Sequence, residues 1–250
     1  MQIYCKVTRG NHVESQHLIY AVAVNEGGKI IFSTGDPDYQ TCIRSSLKPF
    51  QAAASVHAGA VKSSGFTDEE LALMCASHNG EEIHVKTARS MMNKLGFSKD
   101  HYECGIHAPY DKESKIALLH KKKDYSPFDN NCSGKHAGML ALAKHLGVKP
   151  AGYTNCDHPV QKTIFDLLRI YSGQNEIVTA IDGCSAPTLF MSLHGIALLF
   201  QKLASGQYPE LEEVYQAMVH HPYLVAGRNR FDTDFIKVMT GKAITKVGGE

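Results

Sequence analysis

The stretch CIRSSLKPFQAAASVHAGA, residues 42–60, is where the pattern of the chain changes from strand to helix. Its polar start, with Ser45, Ser46 and Lys48, leads through Pro49 into an alanine-rich run, which predicts a helix beginning near the serines. Upstream, QIYCKVT (2–8) alternates and HLIYAVAVN (17–25) reads as a buried apolar strand. NEGGK (25–29) then predicts a hairpin turn into KIIFS (29–33), and TGDPDYQ (34–40) breaks the pattern.

Downstream, helical signals dominate. TDEELALMCA (67–76) opens with a threonine cap and early acids, and EEIHVKTARSMMNKLG (81–96) closes on glycine. SGKHAGMLALAKHLG (133–147), DHPVQKTIFDLLRIYSG (157–173) and YPELEEVYQAMVHH (208–221) are further predicted helices. NEIVTAID (175–182) reads as a strand, APTLFMSLHGIALLFQKLAS (186–205) as one helix, and KAITKVGGE (242–250) as a last strand. Strands at both ends around a largely helical middle predict an α+β fold, in a single domain spanning residues 1–250.

Charge excludes some roles. Lys plus Arg number 26 against 25 Asp plus Glu, so no basic footprint points to nucleic acid or an anionic membrane. HKKKD (120–124) is read as a solvated loop. The N-terminus lacks a signal-peptide pattern, and the most apolar segment (186–200) is too short to span a bilayer. Seven scattered cysteines fit reduced thiols in a cytoplasmic setting.

Ser45 and Lys48 form an S-x-x-K motif, in which the lysine amine shares a helical face with the serine hydroxyl and can take its proton. Chance alone supplies on the order of one such match in a chain of this composition, and spacing by itself favours helix capping. Three other clusters add chemistry. CASHNGEE (75–82) presents Ser77, His78 and Asn79 in a polar loop between helices. DNNCSGKHAGM (129–139) places Cys132, Lys135 and His136 at a helix start, where a thiol is acidified. IDGCSAPT (181–188) brings Asp182 and Cys184 to a second junction. The two cysteines could share a zinc ion, yet each also suits a small buried hydrophobe, and no C-x-x-C or H-x-x-x-H spacing supports metal. Lys246 precedes two glycines near the end of the chain, where most lysines face water.

RGNHVESQH (9–17), GD (35–36) with RSSLKPFQA (44–52), CASHNGE (75–81), NNCSGKHAGM (130–139), DHPVQ (157–161), DGCSAPT (182–188) and KVGGE (246–250) occur together in one order. In that order they resemble the bacterial L-asparaginase II family. The resemblance implies a fold like that of serine β-lactamases and penicillin-binding proteins, a sheet from both chain ends packed by helices. It also implies hydrolysis of L-asparagine to L-aspartate and ammonia. Ser45 is then the nucleophile and Lys48 its base, with Ser77 and Lys246 assisting proton transfer. Arg44, His78, Asn79, His136 and Asp182 would line or orient the substrate site, and zinc would be held by Cys132, Lys135 and Cys184. A lysine can ligate only as the neutral amine. The family further implies a homodimer.

One departure stands out: the family pattern continues past GGE with a further strand and a terminal helix, so the resemblance reads this chain as shortened. A glutaminase of the same mechanism is the alternative substrate reading, because one methylene discriminates by only about 1–3 kcal/mol. An inactive shortened relative serving as a zinc- or ligand-binding subunit is the non-enzymatic alternative.

Overall fold

A computed structural model of the chain describes residues 2–174 and 176–249. The strands are β1 (Ile3–Arg9), β2 (His12–Ile19), β3 (Ala21–Val24), β4 (Ile30–Thr34), β5 (Gln40–Cys42), β6 (Val178–Ile181) and β7 (Pro187–Ser192). The helices are α1 (Lys48–His57), α2 (Ala60–Ser63), α3 (Asp68–Met74), α4 (Glu82–Leu95), α5 (Lys112–His120) and α6 (Ser133–His145). They continue with α7 (Pro159–Ser172), α8 (Leu193–Leu203), α9 (Pro209–His220), α10 (Pro222–Val225) and α11 (Phe231–Met239). The protein is mixed helix and strand, compatible with α+β.

Helix α6 organises the interior. Every residue from Ser133 to Ala143 is buried, which marks a helix packed on all sides rather than an amphipathic one. Its small residues permit this. A Cβ on Gly134 would stand 2.1 Å from the Leu73 carbonyl oxygen, and one on Gly138 would stand 2.5 Å from Met74 Cε. A side chain at Gly134 would therefore drive α6 and α3 apart, whereas one at Gly138 would displace the Met74 side chain. Helix α1 is buried from Lys48 to Ser55 in the same cluster, beside α7 and α9.

Capping chemistry explains the helices whose ends were legible. Thr67 caps α3 in a capping box with Glu70, and Gly96 and Gly173 close α4 and α7 in the left-handed conformation. Helix α7 is capped by the His158 ring, which accepts from Val160 N, with Asp157 one residue further out.

The sheets depart from expectation. Instead of one sheet from both chain ends, the described residues form three small antiparallel ones: β1–β2, β3–β4 and β5–β7–β6. The run 17–25 is not one buried strand. It divides at Tyr20, whose ring lies over Gly35 and packs tilted against Tyr39 with ring centroids 4.8 Å apart, and both of the resulting strands are half-exposed or exposed. The expected helix over 186–205 begins with strand β7 instead. Pro187 pairs opposite Ile181, and Ser192 Oγ then accepts from Gly195 N at 3.0 Å, so the helix starts only after Ser192. The expected strand over 175–182 is observed as Val178–Ile181; its first residue, Asn175, lies outside the described residues.

The expected last strand is absent among the described residues, 243–249 being irregular. Its backbone groups find other partners. Gly248 O accepts from Ser45 N at 3.0 Å, Lys246 O accepts from Ser46 Oγ at 2.8 Å, and Val247 N donates to Asp232. Glu250 lies outside the described residues.

Candidate active site

The S-x-x-K motif sits on a 3-10 turn, Arg44–Leu47, that runs directly into α1. Arg44 enters the turn at φ 52°, its N–H bonded to Thr188 Oγ1 at 3.0 Å and its Nε to Asp182 Oδ1 at 2.9 Å. Asp182 also accepts from Gly183 N at 2.8 Å. Ser45 is half-buried, and its hydroxyl has no hydrogen bond among the described residues.

Lys48 points inward. Its ammonium, in a residue 1% exposed, donates to Ala76 O (2.5 Å), Ser77 Oγ (3.0 Å) and Asn131 O (3.5 Å). Lys246 approaches the same hydroxyl from the opposite end of the sequence, with Nζ 2.8 Å from Ser77 Oγ and 2.8 Å from Val247 O. Ser77 therefore lies between two buried lysines. Its loop is held in place by backbone bonds from Ser77 N to Val225 O and Asn79 N to Ala226 O.

Two ammonium groups this close repel. Lys246 carries the consequence: burial first, then the charge of Lys48, lowers its pKa to about 7, against the opposing pull of Asp232. Asp232 is 1% exposed, 3.8 Å from Lys246 Nζ, and accepts Val247 N with both carboxylate oxygens (3.0 and 3.1 Å). Sequence reading missed it. In RNRFDTDF it is an acid in the first turn of α11, which looks like ordinary helix-dipole compensation; only burial against Lys246 distinguishes it.

His78 and Asn79 are in the loop beside Ser77, but their polar atoms serve the protein itself. His78 Nδ1 accepts from Gly80 N (3.0 Å), so its proton is on Nε2, which bonds Ser133 Oγ at 2.9 Å. Burial, then the charges around it, keeps this ring neutral, with a pKa well below the ordinary histidine value. Asn79 donates to Glu81 Oε1 and Arg228 O and accepts from Arg230 at 2.7 Å. The two residues thus tie the Ser77 loop to segment 225–230. Gly227, at φ 112°, lets that segment approach: a Cβ there would stand 2.3 Å from Glu81 Oε1. His136, on α6, bonds Tyr153 OH at 2.6 Å through Nδ1, while its buried Nε2 has no partner among the described residues.

Cys132, Lys135 and Cys184 come together, each only 4% exposed. Lys135 Nζ is 2.8 Å from Cys184 Sγ, and the Cys184 thiol in turn hydrogen-bonds Cys132. That bond, with the charges of Lys48 and Lys135, outweighs burial and holds the Cys132 thiol well below its ordinary pKa. Cys184 is pushed up by the same bond and by burial. Burial opposes the Lys135 charge, yet the cysteines and Asp182 raise its pKa on balance.

Two sulfurs and an amine are donors that suit zinc. Their spacing is that of direct contact, however: bonds of about 2.0 Å to nitrogen and 2.3 Å to sulfur set tetrahedral ligands about 3.5 Å apart. Lys135 would have to lose its proton and draw back to admit the ion. Among the described residues, no three His, Cys, Asp or Glu side chains gather as a metal site.

The geometry thus joins one hydroxyl, two lysines and a thiol cluster contributed by segments far apart in sequence. The family model of L-asparaginase II matches residues 5–250, and the chain belongs to that family. No curated protein matches it. Membership points to an asparaginase-like amidohydrolase acting on a small molecule. No helix among the described residues is long and apolar enough to cross a membrane.

Proposed function

We propose that the chain hydrolyses L-asparagine to L-aspartate and ammonia through an acyl-enzyme on Ser45. The carrying observation is the Ser77 hydroxyl bracketed by Lys48 at 3.0 Å and Lys246 at 2.8 Å. Ser77 is 6% exposed and engaged on both sides, whereas Ser45 is half-buried with an uncommitted hydroxyl. The accessible serine attacks and the enclosed one relays.

Above about pH 7 Lys246 is the neutral member of the pair. Ser77 then accepts from the Lys48 ammonium and donates its own O–H to Lys246. Shifting one proton along Lys48–Ser77–Lys246 leaves Lys48 neutral, one helical turn from Ser45 and able to take its proton. Reversing the shift delivers that proton to the departing ammonia. Water then enters, and the same relay serves deacylation. Arg44, fixed by Asp182 next to Ser45, supplies a positive charge for the substrate carboxylate. With Lys135 deprotonated, Cys132, Lys135 and Cys184 would hold zinc, which when bound supplies a positive centre for substrate oxygen or nitrogen. A second copy of the chain is the expected partner by family likeness.

Ammonia release from L-asparagine and from L-glutamine, each with the whole chain, tests the reading. Faster release from asparagine supports it; faster release from glutamine makes the chain a glutaminase. No release from folded protein with either amide would overturn it.

The relay also sets a pH dependence. Activity needs Lys246 neutral, so kcat/KM should rise with pH through about 7. The charged groups around Lys246 are Lys48, Asp232, Cys132 and Arg230. Of these Asp232, and after it Cys132, favour the protonated lysine, so Asp232→Asn should move the acid limb to lower pH by about one unit. An unmoved or upward limb would contradict the assignment of the limb to Lys246.

A further inference from the structure

We infer that Lys135 and Cys184 form an oxygen-dependent covalent cross-link, a reversible N–O–S bridge, when no metal occupies their cluster. The 2.8 Å between Lys135 Nζ and Cys184 Sγ is unlike the other contacts that sulfur makes in this protein. Gln161 Nε2 stands 3.5 Å from Met139 Sδ, and the Cys75 and Cys104 thiols stand 3.4 to 3.8 Å from their carbonyl partners. Nitrogen and sulfur are already as close as one bridging oxygen atom would hold them, so closing the bridge needs no backbone movement.

Two features of the surroundings favour this product. The pair is buried, so bulky thiols cannot reach an oxidised Cys184 in the folded chain and resolve it. The Lys135 nitrogen is held against that sulfur on α6, a helix buried on all sides.

The step balances with dioxygen as oxidant. The Lys135 ammonium and the Cys184 thiol together carry four protons. The O–O bond breaks, and one oxygen atom bonds to both Nζ and Sγ. The other oxygen leaves as water with two protons. One proton stays on nitrogen, and the fourth is released to solvent. Nitrogen and sulfur together give up four electrons, and dioxygen accepts four. A thiol reductant reverses the link.

The bridge would pin the Asp182–Ala186 turn, and with it the partner of Arg44, to α6. It occupies the same atoms as a zinc ion would, so metal and oxygen compete for the cluster.

The test is intact-mass analysis of the whole chain after chelation and exposure to air, with and without dithiothreitol. The expected result is a gain of about 14 Da, one oxygen added and two hydrogens lost, erased by dithiothreitol. Peptide mapping of the wild-type chain should join the Lys135 peptide to the Cys184 peptide. Lys135→Arg and Cys184→Ser should lack the gain, Cys132→Ser should still allow it, and zinc added before air should suppress it. A loss of about 2 Da with a Cys132–Cys184 disulfide would overturn the inference. So would an unchanged mass in metal-free protein, or a gain of about 16 Da with no joined peptides. The wild-type mapping stands even if a variant fails to fold.

Discussion

Ser45→Ala is expected to lower kcat for asparagine hydrolysis by about 10⁴-fold, leaving the fold intact. The alanine loses the attacking oxygen and nothing else, because the Ser45 hydroxyl has no hydrogen bond to lose among the described residues. The turn itself is held by backbone, through Ser45 N to Gly248 O and Arg44 N to Thr188. Melting temperature should therefore stay within a few degrees while ammonia release collapses. Ser77→Ala is the necessary companion. It should impair both acylation and deacylation by interrupting the relay, but it should leave a serine that can still be acylated slowly. If Ser45→Ala kept activity within tenfold and Ser77→Ala abolished it, the enclosed serine would be the nucleophile and the relay would have to be redrawn.

Lys48→Met is expected to cost about 10³-fold in kcat, the range removed with a general base. Methionine matches the length and apolar stem of the lysine, and the site is nearly closed to water. Ala76 O and Asn131 O would lose their donor, at a cost of about 1–3 kcal/mol. Removal of one of two neighbouring buried cations would offset part of that loss. The residual activity carries a sharper signature. Because the Lys48 charge lowers the Lys246 pKa, its removal should move the acid limb of the pH profile upward, opposite in sign to Asp232→Asn. A merely structural defect would reduce the rate without moving the limb. Thermal unfolding and a pH series on the same preparation separate the two.

Much of this arrangement can be read from sequence, and the exceptions have physical causes. Helices α3, α4 and α7 carry their own boundaries in Thr67, Gly96 and Gly173, because capping is local. The meeting of Lys48, Ser77 and Lys246 is not local: the family resemblance groups Ser77 with Lys246 but sets Lys48 against Ser45, whereas Lys48 donates to Ser77. Strand β7 was hidden in an apolar run that fits either period; its pairing with β5 and β6, together with the Ser192 cap, decides it. The terminal segment reads as strand from its residues, but the 3-10 turn and Asp232 take up its backbone groups. Asn79 looks like a residue presented to a ligand, yet the approach of segment 225–230, permitted at Gly227, uses its whole amide. Asp232 is the clearest omission. Nothing in RNRFDTDF distinguishes an acid facing solvent from one facing a buried lysine 14 positions further on.

The bond from Lys246 to Ser77 joins residues 169 positions apart, while that from Lys48 to Ser77 spans 29. On the ribosome, the first lysine and the serine emerge close together and can settle before the second lysine is made. That lysine must close a loop of 169 residues before its contact forms. Until it docks, the nascent chain carries a serine hydroxyl with a single charged neighbour, so the proposed relay is complete only once segment 243–249 has folded into place.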